Sequence, residues 1–358
     1  MLKVFHISDL HFDGEFSYLD KVKSEVRKNE IRLSFSSQIE CAYNKGARVC
    51  LIPGDIFDSR PYNKESLEFL KGVFDKFPDC NFFLCFGNHD FIYDEECTSL
   101  RGFFGDNVYL FDSAFDMYEF DEYRVYGASF SDDYCEKALP DDFCVKDDSK
   151  VNLMVLHADF KKESKYNYIS SSAIEKSGLD YIALGHIHMY SGMNKSGKTY
   201  YCYSGTHEGK GFDELGEKGG VYIEFDGERV KYDFVPGSIR QHIEIRINGE
   251  NTDNSSVLIR DIVSQMTNPM NLYKVIIEGE VSKDLVIIPE TISKSLESYC
   301  FFVKVYDETI IRIDMEDYLC ENTLAGAFVR EVKERMDSEE ENSEYWKKVL
   351  KKGLGLLK

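Results

Sequence analysis

The sequence predicts an α/β protein with mixed sheets, followed by a small second α/β unit and a helical tail. Three observations predict it. Short apolar runs alternate with helical stretches through the first two-thirds of the chain, and closely spaced strand-like segments lie between 199 and 235. Beyond Pro236-Gly237 a shorter alternation of strands and helices begins and ends in two helices.

The elements follow in order. Runs 4–8, 47–52, 81–86, 153–156 and 181–184 are mostly apolar, of strand length, and each leads into a polar turn. A helical stretch over 19–45 separates the first two. Between the second and third, Leu67, Leu70, Val73, Phe74 and Phe77 mark one apolar helix face. Ser172-Ala173-Ile174-Glu175 has the capping-box pattern just before the 181 strand. Segments 199–204, 220–225 and 229–235 read as neighbouring strands. Single crossovers early and adjacent strands late give mixed sheets.

Past the boundary, Ile243, Ile245 and Ile247 alternate as in a half-buried strand. A helix over 257–266, a strand over 272–279, a helix over 290–298 and a strand over 300–306 follow. From about Asp317 the chain reads as helices 324–336 and 345–357, joined by an acidic hinge of Asp337, Glu339, Glu340 and Glu341. The expected domains are therefore 1–237, 238–316 and 317–358. The stripes Leu324, Phe328, Val332 and Trp346, Leu350, Leu354 or Leu357 pack either on the chain itself or on a partner.

Composition narrows the class. A chain of 358 residues, 43% hydrophobic, can bury a sizeable core. Its longest apolar run is far too short to span a bilayer, and its first residues lack a signal-peptide pattern, so no membrane role is expected. Ten cysteines with no C-x-x-C pair, several inside apolar runs, fit a reduced, cytoplasmic protein. The net charge of −21 would repel a polyanion and argues against a simple DNA-coating protein. It leaves a nuclease open, because bound divalent cations invert the local field.

The chemistry sits at the strand ends. The first strand ends in Ser8-Asp9-Leu10-His11, where a carboxylate and an imidazole two residues apart can share a cation. The second ends in Gly54-Asp55-Ile56-Phe57-Asp58 and the third in Gly87-Asn88-His89-Asp90. The fourth ends in Leu156-His157 and the fifth in Gly185-His186-Ile187-His188. Each fragment alone reads as a turn, a cap or a core histidine. Together they do not, since five of the eight histidines fall in these motifs. Mixed nitrogen and oxygen donors of this kind suit Mn²⁺, Fe²⁺ or Zn²⁺ better than Mg²⁺.

In this order the motifs D-x-H, G-D, G-N-H-D, H and G-H-x-H resemble the calcineurin-like metallophosphoesterase superfamily. Asp180-Tyr181-Ile182-Ala183-Leu184-Gly185-His186-Ile187-His188 is similar to its SbcD/YhaO-type DNA repair exonuclease branch. So are Tyr203-Ser204-Gly205-Thr206, Gly211-Phe212-Asp213-Glu214 and Gly216-Glu217-Lys218-Gly219. The resemblance covers about residues 1–236 and extends loosely to the end. It implies a four-layer α-β-β-α sandwich with a small α/β cap and C-terminal helices. It also implies two divalent cations, most often Mn²⁺. Asp9, His11 and His188 would hold one, Asn88, His157 and His186 the other, and Asp55 would bridge them, with a hydroxide between the metals as nucleophile. His89 would stabilise the transition state or protonate the leaving oxygen, with Asp90 orienting its ring. Some relatives carry histidine where this chain has Asp58, so any exonuclease-specific role of that histidine does not transfer.

Other residues are weighed and mostly set aside. His6 reads as a core histidine and His242 as exposed. His207 is a minor candidate for touching substrate, and Lys161, Lys162, Lys165 and Lys210 either meet phosphates or form a solvated face. The expected function is a manganese-dependent DNA exo- or endonuclease subunit in repair, acting on double- or single-stranded DNA. The resemblance implies a coiled-coil ATPase partner of SbcC/YhaN type and a homodimer, although no segment identifies a dimer interface. One rival is a phosphodiesterase or phosphatase for a cyclic nucleotide or other small phosphoester. The other is a non-catalytic scaffold with an idle metal site.

Overall fold

The computed structural model describes all residues except 136–142, 148, 228, 251, 253, 284, 313–314, 339–341 and 357–358. The chain divides into two compact units. The first holds 1–244 with the short returns 268–273 and 300–302, and the second holds the rest.

Two six-stranded mixed sheets form the first unit. One is built from β1 (Leu2–His6), β2 (Val49–Pro53), β3 (Asn81–Cys85), β4 (Val108–Leu110), β11 (Gly219–Asp226) and β12 (Arg229–Pro236), in the order β12-β11-β1-β2-β3-β4. The other is built from β5 (Asp116–Glu119), β6 (Tyr123–Ala128), β7 (Val151–His157), β8 (Tyr181–Gly185), β9 (Asn194–Ser196) and β10 (Thr199–Tyr203), in the order β5-β6-β7-β8-β10-β9. Strands β1 to β4 are mutually parallel, as are β6, β7, β8 and β10. Antiparallel β11 and β5 flank them.

Why the strand runs are continuously apolar is visible in their alternation. Val49 and Leu51 of β2, Phe83 and Cys85 of β3, Leu153 and Val155 of β7, and Tyr181 and Ala183 of β8 fill one core between the sheets. Their neighbours Cys50, Ile52, Phe82 and Leu84 face a second core. Met154, Leu156, Ile182 and Leu184 face a third. Helices close the two outer faces. Ile31, Phe35 and Ile39 of α1 (Lys21–Asn44) and Leu70, Val73 and Phe74 of α2 (Lys64–Asp75) pack on the first sheet, with Cys97 of α3 (Asp94–Phe103). Ala173 and Ile174 of α4 (Ser171–Ser177) pack on the second. With period two and both faces covered, the layers run α-β-β-α.

Local signals account for the ends. Asp20 caps α1 by accepting from Lys23 N, and Asn63 caps α2 by accepting from Glu65 N. The cap of α4 is Ser170, which accepts from Ala173 N, and not Ser172 as the capping-box pattern suggests. Helix α1 also buries charge. Arg27 Nη1 and Nη2 donate to Glu30 (2.7 Å) and Glu208 (2.8 Å), and Arg240 Nη2 donates to Glu30 at 2.6 Å.

The second unit contains α5 (Ser255–Gln265), β15 (Glu280–Val281), α6 (Pro289–Leu296), β17 (Ile310–Ile311), α7 (Met315–Leu319), α8 (Leu324–Ser338) and α9 (Ser343–Leu356). Most of the three-stranded sheet of β13 (His242–Asn248), β14 (Leu272–Glu278) and β16 (Phe302–Asp307) also belongs to it. The tail stripes meet each other, with Val329 and Val332 of α8 buried against Leu350 and Leu354 of α9, and Phe328 and Trp346 alongside. Leu324 is left exposed. Leu357 and the hinge residues Glu339, Glu340 and Glu341 lie outside the described residues.

Candidate metal centre

Parallel strands share their direction, so the C-terminal ends of β1, β2 and β3, and those of β7 and β8, emerge at common edges. The turns that follow carry the motifs. Several require backbone that L-residues rarely adopt: φ is 51° at Asp9, 45° at His11, 50° at Asp55 and 105° at His186. Positive φ at non-glycine residues is costly and concentrates at functional sites. Glycines make room beside them. A Cβ on Gly54 (φ 86°) would sit 2.5 Å from His157 Nδ1, and one on Gly87 would run into the Asp55 carboxylate and the His157 ring.

One group brings Asp9, His11, Asp55 and His188 together, with ligand atoms all within 4.8 Å of one another. Nε2 of His11 lies 3.0 Å from Nε2 of His188 and 3.6 Å from Asp55 Oδ2. His188 Nε2 is 4.0 Å from Asp9 Oδ1. On the other side of Asp55, the same Oδ2 lies 3.5 Å from His157 Nε2, which in turn is 3.0 Å from Asn88 Oδ1. The ring of His186 stands 5.1 Å from that of His157, centroid to centroid, and its Nε2 is 3.8 Å from Asp159 Oδ2. Asp55 thus touches both halves. All seven expected ligand residues gather at one place.

The donor set fits a cation. His157 Nδ1 lies 3.1 Å from the Pro53 carbonyl, which only accepts, so Nδ1 carries the proton of the neutral ring. Its Nε2 lone pair then faces the oxygen of Asn88. Likewise, His188 Nδ1 donates to Glu214 Oε1 at 2.6 Å, leaving its Nε2 lone pair aimed at His11. The His157–Asn88 pair sets two acceptors 3.0 Å apart, and such a pair repels unless a positive charge lies between its atoms. A divalent ion bound there satisfies that pair, and the His188 Nε2 lone pair offers it a further donor.

Burial and hydrogen bonds fix the carboxylates. Asp9 is fully buried and accepts from Ser8 Oγ at 2.6 Å and from His186 N at 2.9 Å. Burial raises the Asp55 carboxyl, but the His157 and His11 rings outweigh it and hold the group below its ordinary value. Burial, with the His157 ring beside it, lowers His186 to about 4. Burial opposes the charged form of His188 too, yet the Glu214 hydrogen bond prevails and raises it.

Several expected roles change. The carboxylate of Asp90 does not reach the His89 ring; it accepts from Ile56 N (2.6 Å), Phe57 N (3.1 Å) and Gly87 N (2.7 Å), and so shapes two of the turns. The exposed His89 is held instead through Nδ1, 2.9 Å from the backbone oxygen of Asp58. His207 is fully buried against the Ile31 carbonyl (2.9 Å), away from any substrate. His242 is also buried, bonded to Tyr18 Oη at 2.7 Å, because an aromatic cluster closes over it. His6 is the core histidine expected, 2.7 Å from Tyr181 Oη. Lys161, Lys162 and Lys165 are exposed, whereas Lys210 Nζ binds Asp58 Oδ1 at 2.8 Å.

Asp58, Asp159 and Glu214 are the site carboxylates that sequence reasoning did not assign. Glu214 lies 26 residues from His188, so only the motif Gly211-Phe212-Asp213-Glu214 could have drawn attention to it.

Residues 2–190 match the calcineurin-like phosphoesterases, and the chain belongs to that family. The fold and the cluster of aspartates and histidines define a metallophosphoesterase. Among its relatives, "Uncharacterized metallophosphoesterase YhaO" of Bacillus subtilis is 25% identical over 247 residues, 65% of this chain and 60% of that protein. The chain thus spans less than two-thirds of that relative. "DNA double-strand break repair protein Mre11" of Sulfolobus acidocaldarius is 22% identical over 338 residues, 88% of this chain and 85% of that protein. The crystal structure of TT1561 of Thermus thermophilus covers 65% of this chain at 9% identity, with a TM-score of 0.38, too weak a likeness to bear on function. Among the described residues no helix is long and apolar enough to cross a membrane.

Proposed function

We propose that the chain is a DNA phosphodiesterase that works with two divalent cations, Mn²⁺ first among them, as the nuclease subunit of a repair assembly. The observation that carries the reading is Asp55 Oδ2, within 3.6 Å of His11 Nε2 and 3.5 Å of His157 Nε2, where a shared carboxylate belongs. The similarity to Mre11 along most of both chains supports DNA as substrate.

Asp9, His11 and His188 are assigned to one cation, Asn88, His157 and His186 to the other, and Asp55 to both. Such a pair lowers the pKa of a water and neutralises charge on the phosphate. The chain's own groups do the rest. Asp90 clamps the Asp55 and Gly87 turns through three backbone N–H groups. His89, anchored at Nδ1, presents Nε2 outward as the atom that gives a proton to the leaving oxygen. Exposed Lys161, Lys162 and Lys165 meet backbone phosphates.

The charge of −21 is a poor match for DNA alone. A coiled-coil ATPase of SbcC/YhaN type would add the missing basic surface. In this reading 317–358 docks that partner, 238–316 selects the DNA end, and the chain works as a homodimer. Ten cysteines with no C-x-x-C pair suit a reducing cytoplasm. The test is Mn²⁺-dependent degradation of end-labelled duplex and single-stranded DNA, with His89→Gln beside the wild type. Cleavage by the wild type alone supports the proposal, and equal cleavage by both sinks it. The same charge favours one second reading, a small phosphoester substrate. Faster turnover of a cyclic nucleotide than of DNA would establish that reading instead.

A further inference from the structure

Behind the candidate ligands, one loop touches the outer side of the centre at several points. Thr206 Oγ1 donates to the Asp9 carbonyl at 2.8 Å. Lys210 follows, with its ammonium on Asp58 Oδ1 at 2.8 Å and its backbone N–H on Glu214 Oε2 at 2.7 Å. The other Glu214 oxygen takes the His188 Nδ1 proton at 2.6 Å. Asp58 Oδ1, in turn, lies 3.1 Å from His11 Nδ1, close but too poorly aligned for a hydrogen bond. Both histidines whose Nε2 atoms face each other therefore have a carboxylate behind them, and Lys210 joins the two carboxylates.

We infer that Glu214 is a positioning residue that fixes His188 as the Nδ1–H tautomer, with Lys210 tying Glu214 and Asp58 into one outer ring around that half of the centre. The inference deepens the two-cation reading and rests on it. A neutral imidazole has one proton, and holding it at Nδ1 leaves the Nε2 lone pair for a cation. Glu214 is only 6% exposed, and each of its oxygens has its own donor, so the carboxylate cannot swing away. A buried carboxylate with two fixed donors sets ring orientation as well as tautomer. A single solvent-facing ion pair would do neither.

Two substitutions separate this role from mere packing. In Glu214→Leu the ring loses its acceptor. In Glu214→Gln the amide oxygen still accepts from His188, while the amide NH₂ faces the Lys210 N–H. The first measurement is the ¹⁵N imidazole spectrum of the metal-free full chain at alkaline pH, where the rings are neutral. The expected result is His188 as Nδ1–H in the wild type and in Glu214→Gln, and mixed tautomers in Glu214→Leu. The second is equilibrium Mn²⁺ binding, with melting curves alongside. Glu214→Leu should weaken one of two bound cations roughly 10–100-fold and spare the other, and Glu214→Gln should fall between. Two cations bound equally well by wild type and Glu214→Leu would overturn the inference alone. So would an Nε2–H tautomer in the wild type, or equal loss of both cations with a collapsed melting temperature. A wild type that binds no cation but shows the Nδ1–H tautomer would overturn the two-cation reading while upholding the tautomer assignment.

Discussion

Asp55 and His157 meet at the seam between the two sheets, with Oδ2 of one 3.5 Å from Nε2 of the other. Asp55 follows a strand of the first sheet and His157 ends a strand of the second. The contact therefore exists only if both sheets pack in register, and it ties the site to the fold. Replacing the carboxylate without changing its shape isolates its charge. Asp55→Asn should reduce phosphodiester turnover by a factor on the order of 10³ and weaken both cations, since each loses its shared anion. Turnover on a chromogenic diester and metal content by mass spectrometry check this. Unchanged metal content would show that Asp55 is not shared.

His89 makes a different prediction. Its ring packs edge-on against His11, 4.9 Å between centroids, but is not among the seven assigned ligands, so His89→Gln should keep full metal content. Its kcat should fall by roughly 10²–10⁴-fold, the range for removing a general acid. The loss should shrink for diesters with good leaving groups, which need no proton. A uniform loss across leaving groups would assign His89 to charge stabilisation instead.

Gly87 tests how tightly the turns are drawn. An added methyl group would enter the Asp55 carboxylate and the His157 ring. Gly87→Ala should destabilise the chain by about 1–3 kcal/mol, as overpacking does, and lower cation affinity. Thermal melting and Mn²⁺ titration check the two effects separately.

The buried network of Arg27, Glu30, Glu208 and Arg240 governs stability away from the chemistry. Arg27→Met strands Glu208 and should cost about 3–5 kcal/mol, read from chemical denaturation. Burial raises the Glu30 carboxyl, but hydrogen bonds from Arg240 and Arg27 win and hold it below 4.5. A depressed folded pKa gives stability that is present above the unfolded value and lost as pH falls through the folded one. Stability should therefore drop below about pH 4.5, with a shallower slope in Glu30→Gln. Burial raises Glu208 instead, so its contribution runs the other way and weakens as pH climbs.

Much of this was legible in the sequence. The motifs gave all seven clustered residues, because metal-ligand types at strand ends form a pattern that chance rarely assembles. The apolar runs gave the strands, since both faces of each sheet are covered. Strands β4 to β6 carry no apolar run to find: β4 has three residues, β5 is largely exposed, and Arg124 and Gly127 interrupt β6. The outer residues were hidden for another reason. Glu214 and Asp58 act through contacts 26 and 47 positions away in sequence, and no local spacing encodes such a meeting. His242 and His207 were misjudged because burial of an isolated histidine is decided by packing partners distant in the chain.

In the function proposed above, Asp55 joins two cations. Electron paramagnetic resonance of the metal-free chain titrated with Mn²⁺ tests it most directly. Two Mn²⁺ per chain with an exchange-coupled spectrum are expected, with loss of the coupling in Asp55→Asn. A single isolated Mn²⁺ spectrum at saturation would contradict it.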